Sequence, residues 1–191
     1  MIARIAMVGV LAMAGMTLGA DKKSSLDSKD TKFLKEAAMG GMAEVEMGQT
    51  AERQGSSDAV KEFGRRMVTD HGKEMEELKT LAHSKGVELE TKLDKDHQKM
   101  ADKLSKLNGA DFDKAYAKYE LEDHKEDVKK FKKEADKAED ADVKAFAAKQ
   151  VPVLEEHLSM AEKLPGNSSG GHDSARTTRG GEHESKAKQS Q

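Results

Sequence analysis

Residues 55–86 read GSSDAVKEFGRRMVTDHGKEMEELKTLAHSKG, and this stretch decides the fold. Val60, Phe63/Gly64, Met67, His71, Glu74/Met75, Leu78 and Leu81/Ala82 recur at three- and four-residue spacing, which puts them on one side of a helix from about Asp58 to Lys85. Ser57 is a capping residue at its start and Gly86 ends it. The break Gly55-Ser56-Ser57 is too short for anything but a tight reversal, so the preceding helix must run antiparallel to this one. One residue is out of keeping. His71 stands on the apolar stripe, where a polar ring carries a desolvation cost unless something satisfies it.

Upstream, Asp30 or Thr31 serves as N-cap of a helix running to about Gln54, with Phe33, Ala37, Gly40/Gly41, Glu44, Gly48 and Ala51 on its buried side. Small residues around Glu44 permit close helix approach and leave room for more than side chains. Downstream, Val87–Gly109 is a longer connection with a short helix of its own, carrying Leu93, His97, Met100/Ala101, Leu104 and Leu107. A third long helix starts near Asp111. It shows Phe112, Tyr116 and Tyr119 on one face and Ala117, Leu121, His124, Val128 and Phe131 on the adjoining one. After the turn at 139–142 a fourth helix presents Val143, Phe146/Ala147, Gln150, Val153/Leu154, His157, Met160/Ala161 and Leu164, until Pro165-Gly166 stops it. Two tight hairpins joined by one long crossover define an all-α, ferritin-like antiparallel four-helix bundle over residues 30–164. A short internal echo agrees: Val60-Lys61-Glu62-Phe63 and Val143-Lys144-Ala145-Phe146 open corresponding helices of the two hairpins.

Composition bounds the function. The 191 residues carry 33 basic and 36 acidic side chains, well mixed, for a net charge of −3, and no basic face or tail argues for nucleic acid. No Cys is present, which excludes disulfides, thiol catalysis and a cysteine-linked lipid anchor. Met1–Ala20 holds one charge, Arg4, ahead of an apolar run from Ile5 to Leu18 that is too short to span a membrane. It reads as a secretory signal peptide, so the mature protein is expected to be periplasmic or secreted, with no membrane span. Residues 21–29 form a polar lead-in. Residues 165–191 have no large apolar side chain and read as a disordered tail.

Glu44, His71, His124 and His157 occupy the apolar stripes of four different helices, at similar heights along a bundle. One carboxylate and three imidazoles suit iron, zinc, manganese or copper. The same four residues can instead form a structural hydrogen-bond cluster. Asp70 and Asp123 each precede a central His, and adjacent helical residues diverge by about 100°, so neither can orient its own neighbour. Either can serve a His on another helix or be a solvated surface carboxylate. Glu74 and Glu120, one turn from His71 and His124, are further candidates for such support. A di-iron carboxylate centre wants Glu on two helices and Glu-x-x-His on the other two. Here helix 2 has the reverse order, His71-x-x-Glu74, and Leu154 stands three residues before His157, so the pattern is broken. Pro152 interrupts the last helix five residues before His157, against the carbonyl of Ala148. No phosphate loop, nucleophile elbow or zinc-protease motif is present.

Several segments together resemble one bacterial family. They are residues 37–44 (AAMGGMAE), 63–71 (FGRRMVTDH), 109–116 (GADFDKAY), Asp123-His124, and 152–158 (PVLEEHL). With these, the run from about Asp30 to Leu164 resembles the domain of unknown function 4142, placed among ferritin-like bundles. Val151 stands where that family usually has Leu. The resemblance implies an exported helical bundle and brings no activity with it. The residues point to metal binding or a role in envelope stress, and alternatively to a structural or protein-interaction bundle without metal. A metal-dependent redox enzyme fits the broken carboxylate pattern least.

Overall fold

The computed structural model describes residues 26–167. The expected signal peptide and all but the start of the polar tail lie outside the described residues. Within them are five helices: α1 Ser28–Gln54, α2 Asp58–Ser84, α3 Lys95–Leu104, α4 Gly109–Lys137 and α5 Ala141–Ala161. No strand occurs among the described residues, where the backbone between hairpins meets in one isolated bridge, Gly55 to Gly109.

Local chemistry places most boundaries. The Ser57 hydroxyl accepts from Val60 N at the start of α2. Asp140 caps α5 by accepting from Asp142 N and Val143 N, and Asp94 caps α3 from Asp96 N and His97 N. Gly86 and Gly109 take positive φ, 66° and 61°, at the end of α2 and the start of α4. Three expectations need correction. The cap of α1 is Asp27, not Asp30 or Thr31, and the helix starts at Ser28. Helix α4 starts at Gly109 rather than near Asp111. Helix α5 ends at Ala161, although Leu164 remains buried in the following turn, and it runs through Pro152 without a break.

Asp30 lost its capping role to a longer-range one. It is buried, and its carboxylate accepts from Glu139 N at 3.3 Å and Asp140 N at 2.8 Å, in the α4–α5 turn. Asp113 near the start of α4 does the reciprocal job, accepting from Ser56 N, Ser56 Oγ and Ser57 N in the α1–α2 turn at 2.7–2.8 Å. The pairs Asp30/Asp113, Phe33/Tyr116, Ser57/Asp140, Val60/Val143 and Phe63/Phe146 are all separated by the same 83 positions. Ring contacts follow the same relation: Phe33 meets Phe146 edge-on at 6.5 Å, and Tyr116 meets Phe63 edge-on at 6.1 Å. The chain is thus a doubled hairpin, each half bolting the other's turn.

Helix α1 packs along α2 and α4 along α5, with lighter α1–α4 and α2–α5 contacts between the pairs and α3 laid against α1 and α4. Gly48 and Gly64 bring α1 and α2 so close that a Cβ on either would stand under 3 Å from the other's carbonyl oxygen. Apolar side chains divide into two clusters. One holds Phe33, Leu34, Leu78, Phe131, Val143 and Leu154. The other holds Met47, Val60, Phe63, Met67, Phe112 and Tyr116. On each of the four long helices the register between the clusters is polar, with Glu44, His71, Glu120, His124 and His157 all buried there.

Candidate metal centre

Each histidine in the polar layer is held by one ring nitrogen. On α2, His71 Nδ1 lies 2.8 Å from Glu74 Oε2. On α4, His124 Nδ1 lies 3.0 Å from the Glu120 carbonyl. On α5, His157 Nε2 lies 3.1 Å from Asp70 Oδ2, across from α2. Glu120's carbonyl can only accept, and ionised Glu74 and Asp70 likewise, so the held nitrogens carry the hydrogens. In the neutral rings the opposite nitrogens then carry lone pairs. Those atoms, His71 Nε2, His124 Nε2 and His157 Nδ1, are buried and have no hydrogen-bond partner among the described residues. The rings converge, with centroids 5.3–5.9 Å apart, and a donor atom from each lies within 4.8 Å of the others.

Glu44 does not complete this trio. It forms a second group with Glu120 and His124, again with donor atoms within 4.8 Å of one another. Glu44 is 1% exposed and Glu120 0%; Glu120 Oε2 lies 3.4 Å from His124 Nδ1, and no hydrogen bond satisfies either carboxylate among the described residues. The expected single centre of four residues is therefore two overlapping groups that share His124. Sequence reading gave Glu120 a supporting role and the apolar face to Leu121. The structure buries Glu120 and leaves Leu121 half-buried. The signal was present: Phe112, Tyr116, Glu120 and His124 recur every fourth residue.

The remaining expected residues take separate roles. Asp70 orients His157 and is itself paired with Arg66, which also reaches Glu156 at 3.1 Å. Glu74 orients His71 on its own helix. Asp123 touches no histidine in the trio. It accepts from the Tyr119 hydroxyl at 3.3 Å, and its charge bears on Glu44. Tyr116, placed by its spacing on a helix face with Phe112 and Tyr119, has its hydroxyl buried without a hydrogen bond among the described residues. It too belongs to the polar layer.

Protonation follows from burial and like charge. Burial, then the positive fields of His71 and His157, hold His124 down to about 3. Burial and His71 hold His157 down to about 4, against the pull of Asp70. Burial also acts against charge on His71, but the Glu74 hydrogen bond and charge outweigh it and hold the ring above its usual range. Burial, then Glu120 and Asp123, push Glu44 well above the carboxylate range. Glu120 rises to about 8 through burial, and Asp123 to about 6 through burial and Asp127. Two buried carboxylates this close cannot both ionise without a cation between them.

The doubled hairpin makes the asymmetry plain. At the same 83-residue offset, His71 corresponds to Leu154, Gly41 to His124, and Ala37 to Glu120. Only Glu74/His157 and Glu44/Asp127 pair polar with polar. The donors are therefore not those of a two-fold di-iron carboxylate centre. What the layer offers is three converging imidazoles on one side and a carboxylate pair on the other.

Among solved structures, a fragment of a DUF305 protein from Deinococcus radiodurans shares the helical fold, with a TM-score of 0.63 at 12% identity over 72% of this chain and 95% of that one. No curated protein matches the chain. No helix among the described residues is long and apolar enough to cross a membrane. The model of the domain of unknown function DUF4142 matches residues 15–164, which takes in all five helices and every residue of the polar layer, and the chain belongs to that family.

Proposed function

We propose that this protein is an exported, soluble, ferritin-like four-helix bundle that binds a transition-metal ion in its core and serves metal binding or stress protection in the cell envelope. His71, His124 and His157 are the principal ligands, Glu44 stands next to them, and iron, zinc, manganese and copper are the candidate ions. The reading rests on one observation: three imidazoles converge in the core, each with one buried ring nitrogen that has no hydrogen-bond partner among the described residues, while the opposite nitrogen of each ring is held by an acceptor. Metal-binding histidines are oriented in this way. A purely structural cluster would leave these atoms desolvated and unpaired, at about 1–3 kcal/mol each. Export is supported by the charged start, apolar run and small-residue exit of Met1–Ala20.

The test is the metal content of purified protein beside His71→Ala/His124→Ala, with thermal melts on adding zinc, iron, manganese or copper. Stoichiometric metal and a rise in Tm that the variant loses are expected. Sub-stoichiometric metal in both proteins, with no thermal shift from any of the four ions, refutes the proposal.

A further inference from the structure

The polar layer contains more donor atoms than one ion can use. Ligands to a single transition-metal ion lie about 2.0–2.2 Å from it, so any two of them are at most about 4.4 Å apart. Among the described residues, no group of three or more adjacent donors that includes His71 or His157 also includes Glu44 or Glu120. His124 is common to both groups and has one ring nitrogen without a hydrogen-bond partner among the described residues, so it can serve one ion only. The carboxylate side keeps the buried oxygens of Glu44 and Glu120, none hydrogen-bonded among the described residues, with Glu120 Oε2 3.4 Å from His124 Nδ1. The buried Tyr116 hydroxyl, also without a partner among the described residues, lies in the field of both carboxylates.

Resting on the reading above, we propose that the core holds two cation positions of different chemistry: a nitrogen position formed by His71, His124 and His157, and an oxygen position formed by the carboxylates of Glu44 and Glu120, with His124 between the two. Neutral imidazoles favour later transition metals such as Zn(II), whereas an all-oxygen set favours harder dications such as Mn(II). Charge agrees with this division. Two carboxylates neutralise one dication, and the Glu74 carboxylate behind His71 faces the other, while Asp70, already paired with Arg66, orients His157. The asymmetry comes from the fold, because the imidazole ligands His71 and His124 have Leu154 and Gly41 as their mates in the repeat.

The purified chain, stripped with chelator, is dialysed against Zn(II), Mn(II) or both, and bound metal is counted by elemental analysis, with Mn(II) followed by electron paramagnetic resonance. Wild type is expected to hold two equivalents, one Zn(II) and one Mn(II), when both are supplied. Glu44→Gln/Glu120→Gln keeps the Zn(II) and weakens Mn(II) at least tenfold. His71→Ala/His157→Ala keeps the Mn(II) and loses the Zn(II). Should either double variant fail to fold, Glu44→Gln alone, which preserves the side-chain shape, weakens Mn(II) and keeps the Zn(II). A single equivalent for which Zn(II) and Mn(II) compete overturns the two-position proposal and leaves metal binding standing. Retention of both equivalents by Glu44→Gln/Glu120→Gln overturns it as well. No bound metal in wild type overturns both readings.

Discussion

Two glycines on α2 respond in opposite directions to the same added methyl group. A Cβ on Gly64 would stand 2.7 Å from the Gly48 carbonyl oxygen and 2.8 Å from the Ala51 Cβ. Both are fixed atoms of α1, so the helices must part by several tenths of an ångström to regain ordinary contact. Overpacking of this kind costs about 1–3 kcal/mol, against a gain of about 0.5–1 kcal/mol from replacing Gly with Ala in a helix. With two fixed atoms under 3 Å the cost lies in the upper part of that range, about 2–3 kcal/mol, so Gly64→Ala is expected to destabilise by about 1–2.5 kcal/mol. At Gly72, two turns further along, nothing lies within 4 Å of the new Cβ. Gly72→Ala keeps the whole propensity gain and stabilises by about 0.5–1 kcal/mol. Urea titrations read at constant m measure both, and thermal midpoints should separate by roughly 5 °C or more. A Gly64→Ala protein as stable as its parent, or two variants shifting in the same direction, would refute the close α1–α2 contact. Since α1 carries Glu44 and α2 carries His71, the same spreading also loosens the polar layer.

Three further outcomes are expected. Asp113→Ala removes three hydrogen bonds to a carboxylate and should cost about 2–4 kcal/mol at neutral pH. Burial opposes the Asp113 charge, but the Ser56 and Ser57 bonds outweigh it and hold the pKa down. Its contribution is thus present above the unfolded carboxyl value of about 4 and is lost as pH falls through the lower folded value; denaturation at pH 7 and pH 2.5 checks this, and an undiminished difference in acid contradicts it. Tyr116→Phe deletes a buried, unpartnered hydroxyl while the ring stays stacked on Phe112, so the metal-free protein should gain about 1 kcal/mol; a loss of that size in chelator would mean the hydroxyl is bonded. Asp70→Ala frees the His157 ring and should lower affinity for Zn(II) about 10–100-fold in calorimetry; unchanged affinity would remove His157 from the ligand set.

Local rules carried the helices well. Ser57 caps as its residue type and flanking stripe imply, the turn at 139–142 supplies the cap of α5 through Asp140, and the short helix lies within the crossover as expected. Asp30 shows where local rules stop. It is as good a capping residue as Asp27, and what removes it from that role is a pair of backbone N–H groups more than a hundred positions away. Glu120 shows the same limit in the site. Phe112, Tyr116 and Tyr119 on one face and Ala117 and Leu121 on the next made two faces of α4 readable as apolar, and only the packing of α4 against the other helices decides which of Glu120 and Leu121 turns inward.

By itself the sequence determined the elements, the two reversals, the single crossover and the presence of polar residues on four apolar stripes. Periodicity, caps and breaks are short-range properties, written within a few residues of where they act. Tertiary structure alone decided that the polar layer splits into an imidazole trio and a carboxylate pair, that Asp70 reaches across from α2 to His157, and that Asp30 and Asp113 lock each other's hairpins. These depend on helix rotation and relative height, which are set by interhelical packing such as the Gly48–Gly64 contact. A displacement of one ångström there is invisible in the spacing of residues and large against the distance between two ligand atoms.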